Sequence, residues 1–248
     1  MIKGIDISTF QKDLDYEALK ESGIDFAIIR CGYRKDEGQK DAMFETHYEG
    51  CKKAGIKVGV YHYSYCTSLE NAEKEAQACL KCIEGKQLDL PVFYDIEEPR
   101  IIQHCDPTEI SIKFANTIKQ AGYDVGVYAS LSWFNNYFFV DTLIDNNIKI
   151  WLAQWNEEIT ADFPVDVWQN TNNLDGMGID GNYLINESLL NESEPDPEPE
   201  LEVDICKSLA VDVIYGKYGN GEERKQALGN YYDEVQNIVN DIYNIICA

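Results

Sequence analysis

Leu90-Pro91-Val92-Phe93-Tyr94-Asp95-Ile96-Glu97-Glu98-Pro99 begins as a buried strand and ends in acid. Proline suits the first position of a strand, and the apolar and aromatic run from Val92 to Ile96 suits its body. Side chains alternate across a strand, so Asp95 and Glu97 face the same way. Like charges held that close cannot both ionise freely, and one pKa rises. The expectation is one group that donates a proton beside one that stays anionic, the equipment for cleaving a glycosidic bond. An acidic strand end or a metal-binding edge accounts for the same residues.

Outward from this stretch, strands and helices alternate. Upstream, strands are predicted at Gly4 to Ser8, Asp25 to Cys31 and Ile56 to Tyr65. The helices between them run from Asp15 (N-cap) to Gly23 and from Asp41 to Gly55. Thr67-x-x-Glu70 reads as a capping box opening a helix that ends near Gly85. Downstream, Asp106-Pro107-Thr108-Glu109 places an N-cap, a first-turn proline and a third-position glutamate at the start of a helix ending at Gly122. A fifth strand spans Asp124 to Ser130, and a helical stretch covers Leu131 to Asn146. Then the rhythm changes. Ile150 to Trp155 and Val165 to Gln169 are strands with no room for a full helix between them, and a last strand lies near Asn182 to Asn186. Five strand–helix units followed by three strands imply an α/β fold, an irregular TIM-like β/α barrel. An open doubly wound sheet is the competitor, but no Gly-rich nucleotide loop follows the first strand.

Asn191 to Asp204 is acidic and proline-rich, the composition of an extended linker. Beyond it, helical spacing is predicted over Ile205 to Tyr215, Glu222 to Gly229 and Tyr232 to Ile246, a small all-α module. The domain boundaries are therefore 1–190, 191–204 and 205–248. A tethered module of this size is expected to bind rather than catalyse.

The chain has 248 residues and a formal net charge of -23. Such acidity argues against nucleic acid and against an anionic membrane surface as partners. No run of about 18 apolar residues exists, so no membrane span is expected. The opening Met1-Ile2-Lys3-Gly4-Ile5-Asp6 lacks the apolar region of a signal peptide. Eight cysteines, at 31, 51, 66, 79, 82, 105, 206 and 247, are scattered without a disulfide pattern, though Cys206 and Cys247 bracket the last segment. Cys79-x-x-Cys82 has no second Cys or His pair at zinc spacing. No metal, cofactor loop or nucleophile triad stands out, and oligomeric state has no signature.

Gly4-Ile5-Asp6-Ile7-Ser8, Gly59-Val60-Tyr61-His62-Tyr63, Asp95-Ile96-Glu97, Trp151-Leu152-Ala153-Gln154 and Val167-Trp168-Gln169, in that order, resemble glycoside hydrolase family 25, the Chalaropsis-type lysozymes. The resemblance covers roughly residues 2 to 190. It implies a barrel with five helices and three strands lacking them. It also implies cleavage of the β-1,4 bond between N-acetylmuramic acid and N-acetylglucosamine in peptidoglycan. Glu97 is then expected as general acid, with Asp95 ionised beside it and Asp6 at the same barrel mouth. Substrate assistance through the acetamido group and direct attack by water, with Asp6 or Asp95 as base, are the two mechanisms. Tyr61, Tyr128, Trp151 and Trp155 are candidate stacking rings or core residues, Gln154 and Gln169 candidate hydroxyl or amide contacts, and His62 a buried structural histidine.

Family members usually end the barrel with an Asp two residues before an Asn. With Asn186 as that Asn, the position holds Leu184. The expectation is a missing fourth carboxylate, a weakened or merely wall-binding protein, and repair by Leu184→Asp; Asp180 is a substitute that need not reach the site. Val213 to Lys225, with Leu228, Tyr231, Val235, Gln236, Val239 and Asn240, resembles the CPL-seven type cell-wall-binding repeat. This implies muropeptide binding, with Tyr218, Asn220 and Arg224 as contacts or as builders of the turn. Together the resemblances suggest an endolysin made in a bacterial cytoplasm and acting on the wall; an exported autolysin whose signal has been removed is the alternative.

Overall fold

In a computed structural model describing residues 1–35, 39–190 and 199–246, the chain divides into two compact units, Met1–Asn191 and Glu192–Ala248. The first unit is a closed barrel of eight strands in chain order. They are β1 (Ile2–Ile7), β2 (Phe26–Tyr33), β3 (Lys57–Tyr63), β4 (Val92–Asp95), β5 (Val125–Ser130), β6 (Lys149–Ala153), β7 (Val167–Thr171) and β8 (Asp180–Leu184). Neighbours from β1 to β7 run parallel, and β8 closes the ring antiparallel to both β7 and β1.

The helices outside are α1 (Tyr16–Glu21), α2 (Phe44–Lys53), α3 (Leu69–Cys82), α4 (Ile101–His104), α5 (Pro107–Gln120), α6 (Leu131–Tyr137) and α7 (Val140–Asp145). The five-plus-three organisation holds, with two helices in each of the last two units. The single helix expected after β5 is broken at Phe138, whose backbone is extended, because the Phe139 N–H donates to Thr108 Oγ1 of α5 instead of a helical carbonyl. Asp15 and Asp106 cap α1 and α5 as their types require. The cap of α3 is Ser68, not Thr67: its hydroxyl accepts from the Asn71 N–H at 3.2 Å, while Thr67 Oγ1 takes the Asn71 side chain.

Alternation along the strands sorts side chains into two layers. Ile5, Ile7, Ala27, Ile29, Val58, Val60, Tyr94 and Val127 face the helices. Phe26, Ile28, Tyr61, Phe93, Trp151, Val167 and Leu184 fill the interior. Two glycines make room for its largest rings: a Cβ at Gly4 would stand 2.4 Å from Phe26, and one at Gly126 would stand 2.5 Å from Phe93.

The second unit contains α8 (Pro199–Ile214), α9 (Glu222–Leu228) and α10 (Tyr232–Ile246) around Cys206, Ala210, Val213, Leu228, Val235 and Val239. Residues 191–198 of the expected linker lie outside the described residues. Its last part, 199–204, is helical rather than extended. Proline is tolerated in a first helical turn and acidic residues favour it, so the composition that suggested a linker also suits a helix start. Cys247 lies outside the described residues. Among the described residues no helix is long and apolar enough to cross a membrane.

Candidate active site

The strand registers bring one ring of residues to the same level at the barrel mouth. Tyr63 pairs with Asp95, Asp95 with Tyr128, and Tyr128 with Trp151. On the other side Asp6 pairs with Asp180. The cavity they enclose, about 180 Å³, is lined by Asp6, Tyr61, Asp95, Glu97, Tyr128, Trp151, Gln169 and Asp180, together with Ser8, Phe10, Gln11, Arg30 and Tyr63. It adjoins a larger cleft of about 660 Å³, with which it shares Phe10, Arg30, Tyr63 and Glu97.

Four carboxyl groups meet here, and all are harder to ionise than usual. Asp6 is pushed up to about 8 by burial and then by the nearby Asp180 charge. Gln169 Nε2 (2.9 Å) and Asn182 Nδ2 (2.7 Å) donate to Asp6 Oδ2 and oppose that rise. Asp180 is raised by burial while a hydrogen bond with Asp6 holds it down, so the two carboxyls titrate as a pair that shares a proton. Asp95 is raised well above the carboxylate range by burial, by Glu97 and by Asp6, with Arg30 opposing. Its Oδ1 is buried with no hydrogen-bond partner. Glu97 lies more open to solvent; desolvation in the cleft raises it, a hydrogen bond from Tyr63 lowers it, and Asp180 and Glu98 raise it again.

Glu97 is raised, as expected; Asp95, expected to stay anionic, is raised as well, so burial opposes its charge before substrate arrives. Asp95 is 4% exposed and lacks a donor at Oδ1, whereas Glu97 has solvent and Tyr63. The more buried group holds a proton more tightly.

A fourth carboxyl also stands at the mouth where a gap was expected. Because β8 runs antiparallel, its first residue reaches the mouth and its last lies at the far end. Asp180 therefore faces Asp6. Leu184 is fully buried, pairs with Ile2 and Val167, and belongs to the apolar interior. The weakened-site reading loses the position on which it rested.

Other expectations are redistributed. Gln154 does not line the cavity; its amide closes a loop on Thr160 through bonds of 2.6 and 3.0 Å. Gln169 is committed to protein partners: it holds Asp6 and accepts from Tyr128 Oη (3.1 Å) and Trp155 Nε1 (3.0 Å). Trp151 is buried beneath the mouth, its Nε1 donating to Asn182 Oδ1 at 2.8 Å. Trp155 is exposed and lies outside the cavity lining. His62 is buried, as expected. Arg30, Tyr63, Asn182 and Phe10 complete the site without having been singled out. Arg30 is paired with the buried Asp41 at 2.7 Å and stacks over the exposed Phe10 ring at 5.1 Å. An arginine ending the apolar run Phe26 to Ile29 was the available signal for it.

The match to a family model decides what this arrangement belongs to. Residues 5–179 match the model of glycosyl hydrolases family 25. The chain belongs to that family. Residues 207–243 match the CW_7 repeat. The chain is 31% identical over 159 residues to the autolytic lysozyme of Clostridium acetobutylicum, covering 62% of this chain and 45% of that protein. It is 28% identical over 199 residues to the lysozyme of Streptococcus phage Cp-7, covering 75% of this chain and 55% of that one. It thus spans about half the length of these two curated relatives. The barrel resembles the catalytic domain of endolysin ply40 from bacteriophage P40 of Listeria monocytogenes, with TM-score 0.63, 25% identity, and coverage of 77% of this chain and 96% of that one. The family match stops one residue before Asp180, so the fourth carboxyl is placed by the strand register alone.

Asp6 carries a stability consequence. An unfolded aspartate ionises near pH 4, and the folded Asp6 near 8. Between these values the unfolded chain binds fewer protons, so this group's contribution falls as pH rises, and it is constant above pH 8. Asp6→Asn is expected to raise the melting temperature relative to wild type at pH 8 and to lose that advantage by pH 4. A difference equal at both pH values would contradict the protonation state assigned here.

Proposed function

We propose that the barrel is a peptidoglycan hydrolase, an N-acetylmuramidase cleaving the β-1,4 bond between N-acetylmuramic acid and N-acetylglucosamine in the bacterial wall. The observation that carries this reading is the convergence of Asp6, Asp95, Glu97 and Asp180 in one cavity of a family 25 barrel. Glu97 is the general acid. It is the carboxyl most open to the cleft, and its raised pKa lets it arrive protonated at the leaving oxygen.

Asp95 receives the substrate. Its unpartnered Oδ1 suits an acetamido N–H. A donor there favours the ionised form, which leaves the proton of the Asp95–Glu97 pair on Glu97. As Glu97 protonates the glycosidic oxygen and that bond breaks, the acetamido oxygen attacks the anomeric carbon. Water then opens the resulting ring, which is the substrate-assisted route. Asp6 and Asp180 share a proton and, with Gln169 and Asn182, fix the wall opposite. Tyr128 offers the sugar a ring face, backed from beneath by the buried Tyr61 and Trp151. The test is a suspension of purified bacterial walls. The protein is expected to lower turbidity and release new reducing ends; walls that stay intact would remove the hydrolase reading.

The α8–α10 module is the wall-binding part, on the strength of its CW_7 match. Arg224 bridges the turn rather than standing free: it donates to the Gly219 carbonyl, to Asn220 Oδ1 and to Gln236 Oε1. Its role, with Asn220, is to shape the surface, while Tyr218 rests on the module's core. Truncation after Glu192 is expected to lower affinity for intact walls severalfold and leave cleavage of small soluble fragments unchanged, since tethering acts through effective concentration. Equal wall affinity of both forms would remove the binding assignment.

A further inference from the structure

Three buried side chains from separate elements meet behind the active-site wall. Cys31 comes from β2, His62 from β3 and Cys79 from α3, and all three are fully buried. Their donor atoms lie within 4.8 Å of one another, and the two sulfurs are 3.6 Å apart. A zinc ion bound about 2.3 Å from each of two sulfurs in a tetrahedral shell separates them by roughly 3.8 Å, so the spacing needs little adjustment.

The histidine supplies the second observation. His62 Nε2 lies 2.7 Å from the Arg34 carbonyl oxygen. A carbonyl only accepts, so Nε2 carries the proton and the neutral ring presents a bare lone pair at Nδ1. That Nδ1 is buried, and the group beside it is the Cys31 thiol, which makes no well-formed hydrogen bond to it. A ring whose far nitrogen is fixed by a backbone carbonyl is the usual arrangement of a metal-bound histidine.

The strand geometry adds a third. The β2–β3 register slips between Arg30 and Gly32, which makes Cys31 a bulged residue. Bulges re-aim a side chain, and here Cys31 Sγ also comes within 3.3 Å of the Tyr61 carbonyl oxygen, a neighbouring oxygen donor.

We propose that Cys31, His62 and Cys79 form a structural metal site for a thiophilic divalent ion, zinc(II) by its chemistry. Binding releases one proton from each thiol and leaves His62 neutral. Two thiolates and a divalent cation then sum to zero charge, which suits a site with no solvent; a monovalent ion leaves a buried net negative charge. The ion ties β2 and β3 to α3 directly behind Arg30 and Tyr61, two residues of the active-site lining. Because its ligands come from three elements, the site has no local spacing signature. The Cys79-x-x-Cys82 pair contributes only its first member.

The test uses the full chain, produced with zinc in the medium and purified under a phosphine reductant. Elemental analysis is expected to find about one zinc per chain. Cobalt(II) in its place is expected to give the near-ultraviolet absorption of thiolate coordination, saturating at one equivalent. Cys79→Ala abolishes both signals, and Cys105→Ala keeps both. Cys79 sits on a helix that tolerates alanine, so this variant folds even where Cys31→Ala does not. Wild-type protein without stoichiometric zinc and without the cobalt band overturns the proposal, as does an unchanged band in Cys79→Ala.

Discussion

Glu97→Gln is expected to lower the rate of wall hydrolysis by about 10²- to 10⁴-fold, the usual contribution of a general acid. The amide keeps the shape and the contact with Tyr63 but has no proton to deliver to the leaving oxygen. The fold is expected to persist. Glu97 is at the open side of the cleft, and removing its charge relieves repulsion with Asp95 and Asp180. Melting temperature should therefore stay level or rise slightly, and wall binding through the second unit should be unaffected. Wild-type activity itself should fall as pH rises through the raised pKa of Glu97, because the acid form is lost. A variant within a few-fold of wild type would transfer the acid role to another group. Asp95 and Asp6, both raised by burial in the same cavity, are the alternatives.

Leu184→Asp should unfold the barrel or come close to it, with no gain in activity. Leu184 is fully buried among Phe26, Phe93, Trp151 and Val167. The donor among these four, the Trp151 indole N–H, is already taken by Asn182 Oδ1 at 2.8 Å, and none of them is a cation. An uncompensated buried charge costs roughly 3–5 kcal/mol. That is a large part of the 5–15 kcal/mol that typically separates folded from unfolded states. For a chain of this size it corresponds to a drop in melting temperature of roughly 10 °C or more. The loss should be smaller at pH 4 than at pH 8. A carboxyl whose folded pKa is raised binds its proton in both states at low pH and destabilises progressively as the unfolded form ionises. Higher turnover in Leu184→Asp with an unchanged melting temperature would contradict both the strand direction and the role of Asp180.

The contrast between these two substitutions shows what was legible before the structure. Glu97 and Asp95 announce themselves because they end an apolar strand, and Asp6 because it sits in a short strand with the family's spacing. The five-plus-three rhythm follows from connection lengths. The direction of β8 does not: alternation along a strand is the same read either way. Starting that strand at 182 rather than 180 left Asp180 in the preceding loop as a doubtful substitute, and taking Asn186 as the family's Asn brought Leu184 under suspicion. Asn182 was hidden, and Gln169 read as a substrate contact rather than a partner of Asp6, for a different reason. Their roles depend on partners 176 and 163 residues away, with Asp6 at the centre. Tyr63 was recoverable, since it shares a face with Tyr61 two residues before it. Residues 199–204, expected in the linker, are helical because proline and glutamate favour both an extended chain and a helix's first turn.

The proposed reaction is cleavage on the N-acetylmuramic acid side of the glycosidic bond, with Glu97 as acid. Mass spectrometry of purified peptidoglycan digested by the full chain, after borohydride reduction of the new ends, tests it most directly. The expected reduced sugar is N-acetylmuramic acid, of which Glu97→Gln yields almost none. Reduced N-acetylglucosamine in its place, or equal product from Glu97→Gln, would contradict it.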